Sequence, residues 1–288
     1  DRKVRGGAET HIVQVIERGQ KRLLGTYDEL NGKPIVIPMD ARIGPIALAK
    51  GPAKAEKGKV IAVEVSRYGT ALSPPEAQIV NVMGDPDDPE VQAQSIIFRF
   101  GLSASFPAEV EREAKQLSYS LSPQDLAART DLRELPIVTI DGENARDFDD
   151  AVYVRKQGET FELYVSIADV AHYVAPDTAL DQEAYARSTS VYFPDRAIPM
   201  LPEDLSNGIC SLKPHEDRLT KTVCIELNPK GDVIRSRFFN SVIRSHERMT
   251  YTDVRRILID RDAECLARYR TLVGEFKRME ELALLLYE

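Results

Sequence analysis

The 288-residue chain has only three cysteines, Cys210, Cys224 and Cys265, far apart and with no CxxC pair among them. That spacing argues against structural zinc and against a disulfide framework, so a reducing, cytoplasmic interior is the expected setting. No run of apolar residues reaches membrane-spanning length, and the first residues show no secretory pattern. No initiator Met opens the chain, which therefore reads as an excised or cleaved piece of a longer protein. No Ser-His-Asp constellation is visible either. Hydrolysis is not excluded by that, because water activated by a metal ion needs no side-chain nucleophile.

The apolar fraction of 43% is that of a globular protein, and the length allows two or three domains. The net charge of -8 is unevenly spread. Residues 1–70 carry 13 Lys and Arg against 8 Asp and Glu, and the remainder carries 25 against 38. A basic front and an acidic back fit a protein that steers a polyanion into a cation-loaded site; they also fit two halves with unrelated surfaces.

The most informative stretch is Thr139-Ile-Asp-Gly-Glu-Asn-Ala-Arg-Asp-Phe-Asp-Asp150. Asp141, Asp147, Asp149 and Asp150 fall between an apolar entry (Leu135, Ile137, Val138, Ile140) and an alternating run (Ala151, Val152, Val154). Carboxylates so close repel one another. A divalent cation among them would remove the repulsion, and Mg²⁺ (or Mn²⁺) prefers such oxygen donors. On a strand Asp147 and Asp149 share a face while Asp150 points away, and Gly142 would permit a tight turn that gathers all four. The alternative is an acidic surface loop between two strands.

Short strand-like runs occupy 23–27, 34–38, 46–48, 59–65 and 77–82, separated by turn residues. Five strands in so short a span predict a small β-barrel of the oligonucleotide-binding type. Its candidate nucleic-acid contacts are Lys21, Arg22, Lys33, Arg42, Lys50, Lys54, Lys57, Lys59 and Arg67, with Tyr27 or Tyr68 for stacking. The upstream alternation His11–Ile16 reads as one further strand. Gly84–Glu90 is an acidic connector, residues 91–100 are ambiguous, and Pro107–Leu117 reads as a helix capped by Ser105. Further strands are expected at 161–168, 221–227 and 232–243, the last two joined by the Asn228–Gly231 turn, with a helical tail from Asp262. That tail is apolar enough (Leu284, Leu285, Leu286) to want a partner surface.

Between these elements lie polar groups with two readings each. His172, three residues after Asp169, is either half of a structural pair or a ligand or phosphate contact. Three prolines (Pro194, Pro199, Pro202) hold 190–202 in an extended path. Small hydroxyls, backbone amides and Lys213 just beyond it are candidate phosphate grips. Tyr192 offers its ring either to the core or to a base.

The string Leu135–Ala151 resembles the catalytic signature of the ribonuclease R and ribonuclease II family. Ser166–Val174, Val191–Pro202 and Ser245–Tyr251 match that family in order and spacing, and Val13–Val82 resembles its second cold-shock domain. The resemblance implies a remnant of an upstream cold-shock domain at 1–15, a second cold-shock barrel at 16–83, and a connector with one helix at 84–130. Residues 131–288 would then be the N-terminal part of an α+β catalytic domain. It implies hydrolytic degradation of single-stranded RNA from the 3′ end, releasing nucleoside 5′-monophosphates with Mg²⁺. Asp141, Asp147, Asp149 and Asp150 would hold the metal, with Asp150 the one tied to catalysis. Tyr192 would pack against the terminal bases, and Tyr251 would be a second tyrosine near the RNA. Asn144 stands where many relatives carry Asp, outside the four metal positions. The family's catalytic arginine, a further acidic residue and a C-terminal RNA-binding domain would lie beyond Glu288, on the same chain or on a separate one. Two rivals remain: an RNA-binding fragment inactive without that second half, and a metal-dependent phosphatase of small phosphoesters. Salt-dependent oligonucleotide binding would separate those two.

Overall fold

The computed structural model describes residues 3–4, 7–8, 13–14, 16, 19, 21–49, 55–70, 73–117 and 120–287. The chain divides into two compact units, Asp1–Ala104 and Ser105–Glu288. A short antiparallel pair, β1 (Lys3–Val4) and β2 (Gly7–Ala8), opens the first. Of the strand expected at 11–16, residues 13, 14 and 16 are not in a strand and the others lie outside the described residues.

Five strands follow: β3 (Arg22–Leu30), β4 (Lys33–Pro38), β5 (Ile46–Leu48), β6 (Val60–Arg67) and β7 (Glu76–Gly84). Asn31 and Gly32, both at positive φ (53° and 72°), make the two-residue turn between β3 and β4. The twist of such a turn matches that of the flanking strands. Gly25 lets β3 cross close over β4, since a Cβ there would lie 2.4 Å from Val36 Cγ2. Alternate residues of the strands (Val36, Ile46, Leu48, Ile61, Val63, Ala77) meet in the interior.

The strands pair in the order β3-β4-β5-β7-β6, and β6 returns to β3. The expected β-barrel is corrected to a five-strand ring with one thin side. There β5 has three residues and meets β4 and β7 through two registered pairs each, the second set parallel. Gly44 and Pro45 immediately before it shorten the strand, because proline donates no ladder hydrogen bond. The ambiguous segment after the connector is helix α1 (Pro89–Arg99): Asp88 accepts from the Glu90 N–H at 2.8 Å, and Pro89 fits the first turn. Val91 seals it onto Leu24, Val60 and Ala62.

In the second unit, α2 (Ala108–Gln116) buries Val110 and Ala114 as the helical stripe predicts. Ser105 does not cap it. Pro107 occupies that position with no side-chain cap, and the Ser105 carbonyl accepts from Arg187 Nη2 at 2.7 Å. With α3 (Pro123–Ala127), closed by a Ser122/Asp125 capping box, the span 84–130 holds three helices rather than one.

The centre of this unit is a seven-stranded sheet. Its strands are β8 (Thr130–Asp131), β9 (Val138–Asp141), β10 (Asp150–Gln157), β11 (Thr160–Ala168), β14 (Asp217–Leu227), β15 (Val233–Arg244) and β16 (Glu247–Thr250). Their order is β16-β9-β10-β11-β14-β15-β8, antiparallel except for the β16–β9 and β15–β8 pairs at the two edges. Both faces are covered, as the period-two alternation requires. Ile137, Ala151 and Tyr153 face a core shared with α2 and α5 (Ala179–Arg187). Their neighbours Val138 and Val154 face the other side, against α6 (Tyr251–Arg255), α7 (Ala263–Arg268) and α8 (Val273–Tyr287), where Phe276 and Leu282 are buried. Between β11 and β14 lie α4 (Val170–Tyr173), the two-residue pair β12 (Val191–Tyr192) and β13 (Ala197–Ile198), and a wide turn at Asp204–Ile209. The Asn228 side chain ties the β14–β15 turn by accepting from the Lys230 and Asp232 N–H groups at 2.8 and 3.0 Å. The α+β character is as expected.

Candidate active site on the aspartate loop

The four aspartates sit where two central strands meet a loop. β9 ends at Asp141, a turn closed by Ala145 N–H to the Gly142 carbonyl (3.2 Å) reverses the chain, and β10 begins at Asp150. Gly142 is not required by this turn, since its φ is not positive and a Cβ would meet nothing within 4 Å. Asp141 and Asp147 are half-buried, while Asp149 and Asp150 keep access to solvent.

The electrostatics record their proximity. Asp141 holds its proton more tightly than an ordinary carboxylic acid, first because it is desolvated and next because of the Asp150 charge; Asp147 and Asp149 add to this and Arg248 opposes it. Asp149 is raised by desolvation and then by Asp147 and Asp150. Asp141 Oδ2 is buried without a hydrogen-bond partner. A buried acceptor left this way is costly. An oxygen-only donor set, mutually repelling and with one orphaned oxygen, fits a hard divalent cation. The four do not form a closed cage: among the described residues no three His, Cys, Asp or Glu side chains converge as a metal-enclosing group.

Tyr192 belongs to this site. Its ring is 69% exposed and its hydroxyl donates to Asp147 Oδ2 at 3.3 Å, and desolvation followed by the Asp147 charge raises its pKa. Tyr251, also exposed, follows Thr250, the residue registered against Asp141 across the β16–β9 pair. Lys213 lines an open groove of about 760 Å³ with Arg146, Phe148, Glu203, Asp204 and Arg248. His172 stands apart from the four aspartates; it lies 3.5 Å from Asp125 and edge-on to Tyr173.

In the first unit Arg22 is exposed on β3, beside a groove that it shares with Arg42, Arg99 and Phe100. Lys50 and Lys54 lie outside the described residues. Most other cations expected to contact RNA are ion-paired: Lys21 with Glu64, Arg42 with Asp40, Lys57 with Asp28, Lys59 with Asp85 and Arg67 with Glu76. Tyr27 and Tyr68 pack against the interior of the ring.

Two residues that hold the loop were not singled out by the sequence. Arg248 Nη2 donates to the Gly142 and Glu143 carbonyls at 2.6 and 2.9 Å, and its guanidinium lies over the Phe148 ring. The signal was its place inside the Ser245–Tyr251 string. Ser211 is fully buried, so it is no phosphate grip; it faces the aspartate loop. A third anchor stands at the end of β11. There the Ala168 N–H donates to the Asp149 carbonyl (2.9 Å), and the next residue, Asp169, pairs with buried Arg129 at 2.6 Å.

This constellation, a carboxylate loop joining two inner strands of a mixed sheet with an exposed tyrosine over it, coincides with a known domain. The RNB domain family model matches residues 129–288 and a cold shock domain model matches 35–107. The chain therefore belongs to the RNB domain family. Ribonuclease R proteins are among its relatives. That of Acidithiobacillus ferrooxidans is 40% identical over 282 residues, covering 96% of this chain and 64% of the relative. That of Thermotoga maritima is 44% identical over 262 residues, covering 89% and 37%. Among solved structures, Mycoplasma genitalium RNase R in complex with ribose methylated single-stranded RNA superposes with a TM-score of 0.83 at 27% identity, covering 95% of this chain and 43% of that one. The chain thus spans between about a third and two thirds of these relatives' lengths.

Proposed function

We propose that this chain is the front part of a hydrolytic 3′-to-5′ exoribonuclease that acts on single-stranded RNA and releases nucleoside 5′-monophosphates. The observation that carries the reading is the orphaned Asp141 Oδ2 within a loop of four electrostatically coupled aspartates. The M. genitalium relative with single-stranded RNA supports the substrate class. The domain plan that goes with it is a cold-shock domain remnant at 1–15, a cold-shock domain at 16–83, a connector at 84–130 and the catalytic portion at 131–288.

Asp141, Asp147, Asp149 and Asp150 would hold Mg²⁺, or Mn²⁺ in its place. Such an ion, when bound, supplies a lowered pKa to the attacking water and neutralises charge that grows on phosphorus. The remaining work belongs to the chain. Tyr192 offers a flat face to the terminal base, a contact tolerant of sequence, while its hydroxyl orients Asp147. Arg248 holds the turn after Asp141 and keeps that carboxylate more readily ionised. Tyr251 and Lys213 flank the path of the strand, and His172, Arg22 and Lys50 complete the proposed RNA contacts.

The test is 5′-labelled single-stranded RNA with Mg²⁺, alongside EDTA and Asp150→Asn. A ladder that shortens from the 3′ end and is lost in both controls is expected. RNA bound but never shortened would refute catalysis by this chain. That outcome would support the second reading, an RNA-binding portion completed by the C-terminal half. A separate chain packing over 262–288 is supported by the exposed Leu284, Leu286 and Tyr287. Size-exclusion chromatography with intact mass decides it, and a lone 32.3 kDa species refutes it.

A further inference from the structure

We infer that Ser211 is a positioning residue that sets the spacing of Asp147 and Asp149, an inference that rests on the metal reading of the loop. Ser211 is fully buried. Its hydroxyl accepts from the Phe148 N–H at 3.1 Å and donates to the Arg146 carbonyl at 2.9 Å. It thereby brackets Asp147 from both sides in the chain. The next residue continues the contact, with the Leu212 N–H donating to the Phe148 carbonyl at 2.8 Å. Phe148 is thus held through both its backbone groups, and the two carboxylates that flank it are fixed to one short segment.

That segment is itself immobilised. Arg218, 6% exposed, donates Nε to the Ser211 carbonyl at 2.9 Å, and Leu212 and Ile209 are buried in the core shared with Ala151 and Tyr153. A serine is suited to the post because one small hydroxyl can donate and accept at once. Alanine would leave the Phe148 N–H and the Arg146 carbonyl without this partner, and the loop would respond where the metal donors sit. Groups that orient metal ligands in this way are worth roughly 10–100-fold in metal affinity.

The experiment uses the whole 288-residue chain and compares Ser211→Ala with Ser241→Ala. Ser241 is equally buried, but its hydroxyl bonds only with Thr220 and Thr222. It reports what losing any buried hydroxyl from this unit does. Mn²⁺ binding is followed by the electron paramagnetic resonance of the free ion, with no RNA present. Amide hydrogen exchange over 146–150 is followed separately in EDTA. Ser211→Ala should weaken Mn²⁺ binding by roughly 10–100-fold and speed exchange at 146–150, while Ser241→Ala does neither.

Parent-like Mn²⁺ affinity in Ser211→Ala overturns the role of Ser211 alone. A parent chain that binds no Mn²⁺ overturns the metal reading itself. Unchanged exchange in Ser211→Ala overturns the clamp whichever way the Mn²⁺ titration falls. Should that variant not fold, Ser211→Cys, which keeps a weaker donor and acceptor in the same place, is judged by the same two readouts.

Discussion

Removing Asp169 is expected to destabilise the second unit more than removing its partner Arg129, although the two form one ion pair. Their nitrogen and oxygen lie 2.6 Å apart, and the side chains are 3% and 7% exposed. Breaking so buried a pair leaves one charge in a low-dielectric setting and costs about 3–5 kcal/mol. The asymmetry comes from what each survivor retains. After Arg129→Ala, Asp169 keeps the Lys221 ammonium at 3.3 Å, and the Thr220 carbonyl still accepts from Ser241 Oγ. After Asp169→Ala, Arg129 keeps two backbone carbonyls, Thr220 and Ser241, at 3.2 and 3.4 Å, and loses its ion-pair partner. Asp169→Ala is therefore placed at the full ~3–5 kcal/mol, which for a domain of this size lowers Tm by roughly 6–20 °C. Arg129→Ala should fall clearly below that. Thermal and urea unfolding, each followed by two probes so that the two units can be told apart, measure both. The double replacement Arg129→Met/Asp169→Leu should be less destabilised than Asp169→Ala alone, because no unpaired charge remains. A loss below ~1 kcal/mol for Asp169→Ala, or a larger loss for Arg129→Ala, would refute the reasoning.

Other outcomes follow from the loop. Folding raises the Asp141 pKa, so above the folded value its charge opposes folding, and below the unfolded value of about 3.9 that cost is gone. In EDTA, Asp141→Asn should thus melt higher than the parent at neutral pH, lose the advantage as pH falls to about 3, and lose it also when Mg²⁺ is added to the parent; a variant that melts lower at pH 7 contradicts this. Arg248→Gln removes the cation that favours Asp141 ionisation and loosens the Gly142 and Glu143 carbonyls. Direct titration should show weaker Mn²⁺ binding, with the pH dependence displaced upward. Tyr192→Ala should weaken single-stranded oligonucleotide binding by about 1–3 kcal/mol, the worth of one stacked base. Tyr192→Phe should bind like the parent, and fluorescence anisotropy in EDTA distinguishes the two.

Much of this architecture was legible before any coordinates. The five strands of the first unit were found within a few residues, because apolar alternation and turn residues are local signals. The ambiguity at 91–100 resolved through Asp88 and Pro89, a start signal present in the sequence but read there only as a connector. Ser105 was misplaced as a cap because the helix starts at Ala108 with Pro107 at the cap position, two residues further on. The barrel had to be redrawn as a ring with a thin side, since strand count does not reveal that β5 pairs through so few residues. The lysines and arginines of the first unit looked like an RNA surface, yet ion pairing occupies many of them.

For the site, residue types alone indicated the chemistry. Four aspartates between apolar runs repel one another in almost any compact arrangement, so composition and spacing left two readings, a cation-seeking loop or an acidic surface loop. Which oxygen is left without a partner, and what holds the loop, depended on the tertiary structure. Asp141 Oδ2 is orphaned by its burial at the end of β9. Arg248 reaches the turn through the parallel β16–β9 register, and Ser211 reaches Phe148 across 63 residues. Such contacts are decided by strand register and by the path of a long connection, and short-range periodicity carries no information about either.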